Sequence, residues 1–235
     1  MSHNLDDLEN AIGHAFADRS LARVALAHPS AAPDEAIPPG GNQRLEFLGD
    51  AVLDLVVSEA LYQRHPEARE GRLGEMRAAC VSGPALATAA RRLGLERHLR
   101  VGEGERRNNP EPGDAALEDA FEALIGAVFR DGGYAAVRAV VNGVLADELE
   151  RAPNATAEAN PKGRLQEWTQ AHRRGATPDY AHLEPGGPDH ARSFRAVVRL
   201  NGEELGRGEG GSKKAAETEA ARDALRRLRI SEGAE

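Results

Sequence analysis

Cysteine occurs once in the 235 residues, at Cys80. A single thiol can form no intrachain disulfide and no thiolate zinc cluster. Its setting, "RAACVSG", has no neighbouring His, which makes Cys80 a small buried helix residue rather than a nucleophile. Long apolar runs are also missing, since nothing approaches the ~18 to 20 residues that cross a bilayer. The opening "MSHNLDDLEN" lacks the basic and then apolar order of a leader. These absences predict a cytoplasmic protein with no membrane partner. Internal repeats and low-complexity tracts are absent, and no segment calls for an organic cofactor. What is present, 40% hydrophobic and 29% charged residues, suits a globular chain of one or two domains with a real core.

Positive charge is in short supply overall. The net charge of −8, taken alone, argues against a nucleic-acid partner. The halves differ, however. Residues 1–150 hold 15 Lys and Arg against 25 Asp and Glu, a balance of −10, whereas residues 151–235 hold 15 against 13, a balance of +2. Two electrostatically different objects share one chain.

Their folding patterns differ as well. From Asn4 to Glu150, apolar residues recur at three-and-four spacing between Gly/Pro breaks, predicting an all-α domain over 1–150. Helices are expected near 5–14, 19–27, 42–64, 71–79, 83–95, 114–130 and 134–149. "RAPNATAEAN" (151–160) has no apolar periodicity and reads as a flexible linker. Beyond it, a short helix over 161–172 precedes the strand-like "PDYAHLE" and "SFRAVVRL". Asn201-Gly202 marks a two-residue hairpin turn into "ELGRGEG". A final helix over 212–229 completes an α-β-β-β-α module spanning 161–230, with 231–235 left as a tail.

Glu46 and Asp50, in "NQRLEFLGDAVLDL", stand at i and i+4 and leave one side of a helix that otherwise wants burial. Asp119 and Glu122, in "LEDAFEALIGAVF", stand at i and i+3 in an equally apolar setting. Four carboxylates on such faces repel one another and resist desolvation unless a cation lies between them. An all-oxygen donor set points to a hard divalent ion, Mg²⁺ with Mn²⁺ as substitute. Such a site activates water and clamps the oxygens of an in-line phosphoryl displacement. Neither helix has the Glu-x-x-His motif of a di-iron bundle.

"NQRLEFLGDAVL" together with "LEDAFEALIGAVF" resembles bacterial ribonuclease III, the double-stranded-RNA endonuclease, and the similarity extends over nearly the whole chain. By position, the resemblance makes Glu46, Asp50, Asp119 and Glu122 the metal-binding acids and gives Asp50 and Glu122 the catalytic role. Glu122 matches the residue whose loss leaves binding but abolishes cleavage. Glu70, in "REGRLGEMRA", matches an auxiliary acidic position near the cleavage valley. Gln43 stands where many members carry Glu, so it cannot be an obligatory anionic ligand and lies outside the metal set. The segment "RRNNPEPGDAA" differs from the Gly- and Ser-rich loop usual in that place.

In the second module, "GEGGSKKAAETEAA" puts Ser212 at an N-cap and Lys213 and Lys214 in the first helical turn. Cations there oppose the helix dipole, and an anion docked at the helix start would reverse the sign. The glycines of "GRGEGGS" are expected to let the backbone turn tightly and approach phosphates. With "NPKGRLQEW" and "GPDH", the module resembles a double-stranded-RNA-binding domain, which reads A-form shape with little sequence preference. The resemblance implies minor-groove contacts from Gln166, Glu167, Pro188 and His190 and phosphate contacts from Lys213 and Lys214. Trp168 is expected in the core.

The expectation is therefore a two-domain, Mg²⁺-dependent endonuclease that cuts both strands of an RNA duplex. By resemblance its products carry 5′-phosphate and 3′-hydroxyl ends with a short 3′ overhang, and its substrates include ribosomal and other structured RNA precursors. One acidic cluster per chain and two strands per duplex imply a homodimer, joined through the apolar faces around "FLGDAVLDL". Two rivals are an RNA-binding protein with a decayed nuclease domain, which the intact four carboxylates oppose, and a helical scaffold with an RNA-targeting tail.

Overall fold

The computed structural model describes residues 5–31, 37–109, 111–186 and 193–228. The chain divides between Ala152 and Pro153 into two compact units.

The first unit is helical: α1 (Leu5–Ile12), α2 (Arg19–Ala25), α3 (Gln43–Arg64), α4 (Glu70–Cys80), α5 (Gly83–Arg92), a 3-10 turn (Leu95–Arg97), α6 (Glu103–Asn108), α7 (Asp114–Val144) and the start of α8 (Ala146–Ala159). Helix α7 is its axis. Leu117, Ala120, Phe121 and the run Ala123–Val128 are buried all round, as befits a helix enclosed by others. It packs against α3, which contributes Val52, Leu53, Val56, Val57, Ala60 and Leu61 to the same core. The two helices expected over 114–130 and 134–149 meet at a kink: Gly133 has φ +70° and ψ −168°, a conformation only glycine adopts cheaply. Just before it, Asp131 accepts from the backbone N–H groups of Ala17 and Asp18 and pairs with His14 Nε2 at 2.9 Å. Those bonds tie the α1–α2 loop to the bend.

Two expectations change here. Residues 103–108 form the short α6 inside what reads as a break. Residues 151–159, expected as a flexible linker, continue α8 as far as Ala159. Pro153 removes one ladder donor, but the alanines around it are the best helix formers, and Ala152 is buried in the helical core.

The second unit is α9 (Pro161–His172), β1 (Asp179–Gly186), β2 (Ser193–Leu200), β3 (Glu203–Gly210) and α10 (Lys213–Arg227). Its strands form one antiparallel sheet in the order β1-β2-β3. Asn160 caps α9 by accepting from Gly163 N–H, with Pro161 in the first turn. Asn201 (φ +51°) and Gly202 (φ +86°) make the expected hairpin turn. Ala196 and Val198 face Leu165 and the alanines of α10. Val197 is buried too, although it points to the opposite face of this middle strand.

The glycines of β3 have a different purpose from the one expected. A β-carbon on Gly206 would lie 2.5 Å from the Ala220 carbonyl oxygen, and one on Gly208 would lie 2.2 Å from that of Ala216. They let the α10 backbone settle directly on the strand; Gly210, where a β-carbon would lie 2.8 Å from the Ala215 β-carbon, also faces the helix, and of these glycines only Gly211 meets nothing within 4 Å. Trp168 also departs from expectation. It lies outside the buried cluster, stacked on His172 at 4.9 Å with the Arg173 guanidinium 5.5 Å from its ring.

Candidate active site and RNA-binding surface

The α3–α7 crossing positions the acidic residues. A β-carbon on Gly49 would lie 1.8 Å from the Glu122 carbonyl oxygen, and one on Gly126 would lie 2.3 Å from that of Leu45. Two glycines therefore bring the backbones together where Glu46 and Asp50 leave α3 and Asp119 and Glu122 leave α7. Glu46, Asp119 and Glu122 are half-buried, and Asp50 is exposed at the edge.

Electrostatics report the result. Burial, then the charges of Asp50, Glu118, Glu46 and Asp119, push the Glu122 carboxyl up to about 8. Burial followed by Asp119, Asp50 and Glu118 raises Glu46. Burial raises Asp119, with His28 acting in the opposite direction. Glu46, Asp50 and Asp119 thus all act on Glu122, Asp50 and Asp119 act on Glu46, and the charges that shift these two residues are all carboxylates. Among the described residues, no three acidic, imidazole or thiol side chains are gathered closely enough to hold an ion as they stand.

Glu118 belongs to the same group, although its place in the sequence does not single it out. It stands four residues before Glu122, the spacing that relates Glu46 to Asp50. Its carboxylate lies over Gly83, where a β-carbon would be 2.5 Å from Oε2, at the start of α5. Burial and Asp119 raise its pKa. Glu70 is exposed in the first turn of α4, and it is not among the charges that shift Glu46, Asp119 or Glu122. Gln43 is exposed at the first position of α3. Cys80 is buried, its thiol pushed up to about 11 by burial, which suits a packing residue and not a nucleophile.

In the second unit, Ser212 Oγ accepts from Ala215 N–H and caps α10. Lys213 and Lys214 are exposed in the first turn that follows. Lys162, by contrast, is committed: its Nζ lies 2.5 Å from Glu217 Oε2 and 4.4 Å from the centre of the Tyr180 ring, while His182 Nε2 takes the other Glu217 oxygen at 2.9 Å. Gln166 and Glu167 are exposed on α9. Pro188 and His190 lie outside the described residues.

Residues 18–149 match the family described as "Ribonuclease-III-like", and residues 161–228 match the double-stranded RNA binding motif. The chain is 43% identical over 223 residues to Ribonuclease 3 of Desulfotalea psychrophila, covering 94% of this chain and 92% of that one. With Ribonuclease 3 of Ectopseudomonas mendocina it shares 42% identity over 236 residues, 99% of both chains. Among solved structures, the nuclease domain of ribonuclease III from Campylobacter jejuni aligns with a TM-score of 0.57 at 34% identity, covering 62% of this chain and 98% of that one; that structure describes flexibility in a region involved in dimer formation. A helical nuclease domain followed by an α-β-β-β-α duplex-RNA-binding module defines an endoribonuclease of double-stranded RNA. The chain belongs to the ribonuclease III family.

Proposed function

We propose that the protein hydrolyses phosphodiester bonds in both strands of an RNA duplex in a Mg²⁺-dependent reaction. Its products carry 5′-phosphate and 3′-hydroxyl ends with a short 3′ overhang, and its cellular substrates are ribosomal and other structured RNA precursors in the cytoplasm. The observation that carries the reading is the concentration of negative charge at the α3–α7 crossing, where Glu122 is driven to about 8. Oxygen donors of this kind fit a hard divalent ion. Glu46, Asp50, Asp119 and Glu122 would hold it, with Mn²⁺ able to substitute. The chemistry such an ion supplies is activation of the attacking water and neutralisation of charge at the phosphate. Asp50 and Glu122 carry the catalytic role as ligands rather than as an acid/base pair, and Glu70 is an auxiliary acid beside the valley.

Two copies are needed to cut two strands. Phe47, Leu55 and Tyr62 of α3 are 81%, 57% and 72% exposed in the single chain. Apolar surface of this kind on the helix that also carries Asp50 supports a homodimer whose interface runs beside both acidic clusters. The −10 nuclease half repels RNA, so affinity falls to Lys213 and Lys214 with Gln166, Glu167, Pro188 and His190, aided by bound cations.

The test is incubation of the purified protein with a long RNA duplex in Mg²⁺ or in EDTA, followed by sizing and end analysis. Metal-dependent duplex fragments bearing 5′-phosphates are expected. Duplex binding without cleavage by a folded dimer would overturn the proposal in favour of an RNA-binding role.

A further inference from the structure

Residues 27–31 form a short loop held from two sides. Asn42 N–H donates to the Ala27 carbonyl at 2.8 Å, and Gly41 (φ +56°) fits closely beneath, where a β-carbon would lie 2.4 Å from that same oxygen. On the other side, His28 N–H donates to the Arg100 carbonyl at 2.9 Å and Arg100 N–H to that of Leu26 at 2.8 Å. The loop is thereby fixed to the start of α3, one turn ahead of Glu46.

Within it, His28 Nδ1 accepts from the Ser30 backbone N–H at 3.1 Å and lies 2.7 Å from Ser30 Oγ, which itself accepts from Gly102 N–H at 3.0 Å. A backbone N–H can only donate, so Nδ1 is an acceptor and the neutral ring carries its proton on Nε2. No acceptor for Nε2 occurs among the described residues. The half-buried imidazole is nevertheless near enough to Asp119 to influence that carboxylate. A fixed, unused donor therefore stands at the edge of a cluster that otherwise gathers only negative charge.

We propose that His28 contacts the substrate: its Nε2–H, oriented through Ser30, donates to a non-bridging oxygen of the RNA phosphodiester bound beside Asp119. The inference rests on the acidic cluster being the cleavage site. A Lys or Arg in this place would pair with Asp119 and compete with the cation that the cluster needs. A neutral N–H reaches a phosphate oxygen without closing such a pair.

The test compares wild type with His28→Ala, His28→Gln, His28→Asn and Ser30→Ala. Gln places an amide N–H at about the reach of Nε2, whereas Asn reaches only as far as Nδ1. In the metal-free protein, imidazole NMR should show the His28 proton on Nε2 in wild type and in Ser30→Ala alike, because the backbone N–H that donates to Nδ1 survives the substitution. In cleavage-blocked Glu122→Gln protein with Mg²⁺, the Nε2–H signal should shift on addition of a short RNA duplex. Loss of one hydrogen bond to a charged group should lower kcat/KM in His28→Ala by roughly 10- to 100-fold. His28→Gln should recover most of that loss and His28→Asn little, with the half-saturating Mg²⁺ concentration unchanged. Wild-type cleavage by a folded His28→Ala protein would overturn the proposal, as would a raised Mg²⁺ requirement at unchanged RNA dependence. Equal losses in the Ala and Gln variants, accompanied by equal falls in melting temperature, would also overturn it by making His28 structural. If wild type itself fails to cleave, the nuclease reading fails and this inference goes with it.

Discussion

Gly49 presents a bare α-carbon to the Glu122 carbonyl: a β-carbon there would lie 1.8 Å from the oxygen. The obstacle is backbone rather than the end of a flexible side chain, so helix α3 would have to move away from α7. Gly49→Ala should cost about 3 kcal/mol or more, the upper part of the overpacking range. Because the displaced backbones carry the carboxylates, cleavage should fall further than stability alone explains. Thermal melting together with cleavage at a temperature where the variant is folded checks this. A Gly49→Ala protein with wild-type melting and activity would show that the crossing is looser than described.

Glu122 should govern how the metal-free protein responds to pH. Its carboxyl is raised from the ordinary 4.5 to about 8, chiefly by burial and then by Asp50, Glu118, Glu46 and Asp119. Between those values the folded state keeps a proton that the unfolded chain has released. Its stabilising contribution is therefore full below about pH 4.5 and is lost as pH rises through 8. In EDTA the melting temperature should decline over this window, and Glu122→Gln should flatten the decline. Mg²⁺ should restore stability at the alkaline end, where the carboxylate is free to bind it. Parallel melting curves for wild type and Glu122→Gln would contradict the assignment.

Much of this is legible in the sequence because side-chain spacing converts directly into a shared face. Glu46 with Asp50, and Asp119 with Glu122, need only helical periodicity, and the Asn201-Gly202 turn needs only its backbone preference. Contacts between distant segments are not legible. His28 reads as part of a Pro-rich break until Ser30, Arg100 and Gly102 are seen around it. The 151–159 segment misleads because one proline and a lack of apolar period outweigh, in sequence, the alanines that carry α8 through it. Trp168 misleads in the other direction, since its size suggests the core while its neighbours on the helix offer it His172 and Arg173.

The β3 glycines yield a sharp contrast. Gly208 faces the α10 backbone, with the Ala216 oxygen and Ala220 nitrogen each 2.2 Å from a β-carbon placed there, whereas Gly211 would meet nothing within 4 Å. Gly208→Ala should destabilise the RNA-binding module by about 3 kcal/mol. Gly211→Ala should be nearly silent. Duplex binding and melting of the full-length variants, side by side, distinguish this packing role from one in phosphate approach, which would make Gly211 the more sensitive position.

Lys213 and Lys214 occupy the turn of α10 where the helix dipole disfavours cations, and Ser212 already caps that end. Among the described residues neither pairs with a carboxylate, unlike Lys162 with Glu217 or Arg207 with Glu204. If they serve folding, replacing both with Ala should destabilise the protein. If they serve RNA, the dipole argument gives the opposite sign: stability should hold or rise by a few tenths of a kcal/mol, while duplex affinity falls. Removing one phosphate-binding cation should also lower the slope of log affinity against log salt by roughly one, so the double variant should lower it by about two. The measurement is duplex binding by Glu122→Gln protein, first checked for absence of cleavage, with and without the two lysines, across a salt series. An unchanged slope would remove both residues from the RNA interface, whatever happened to the affinity at any one salt concentration.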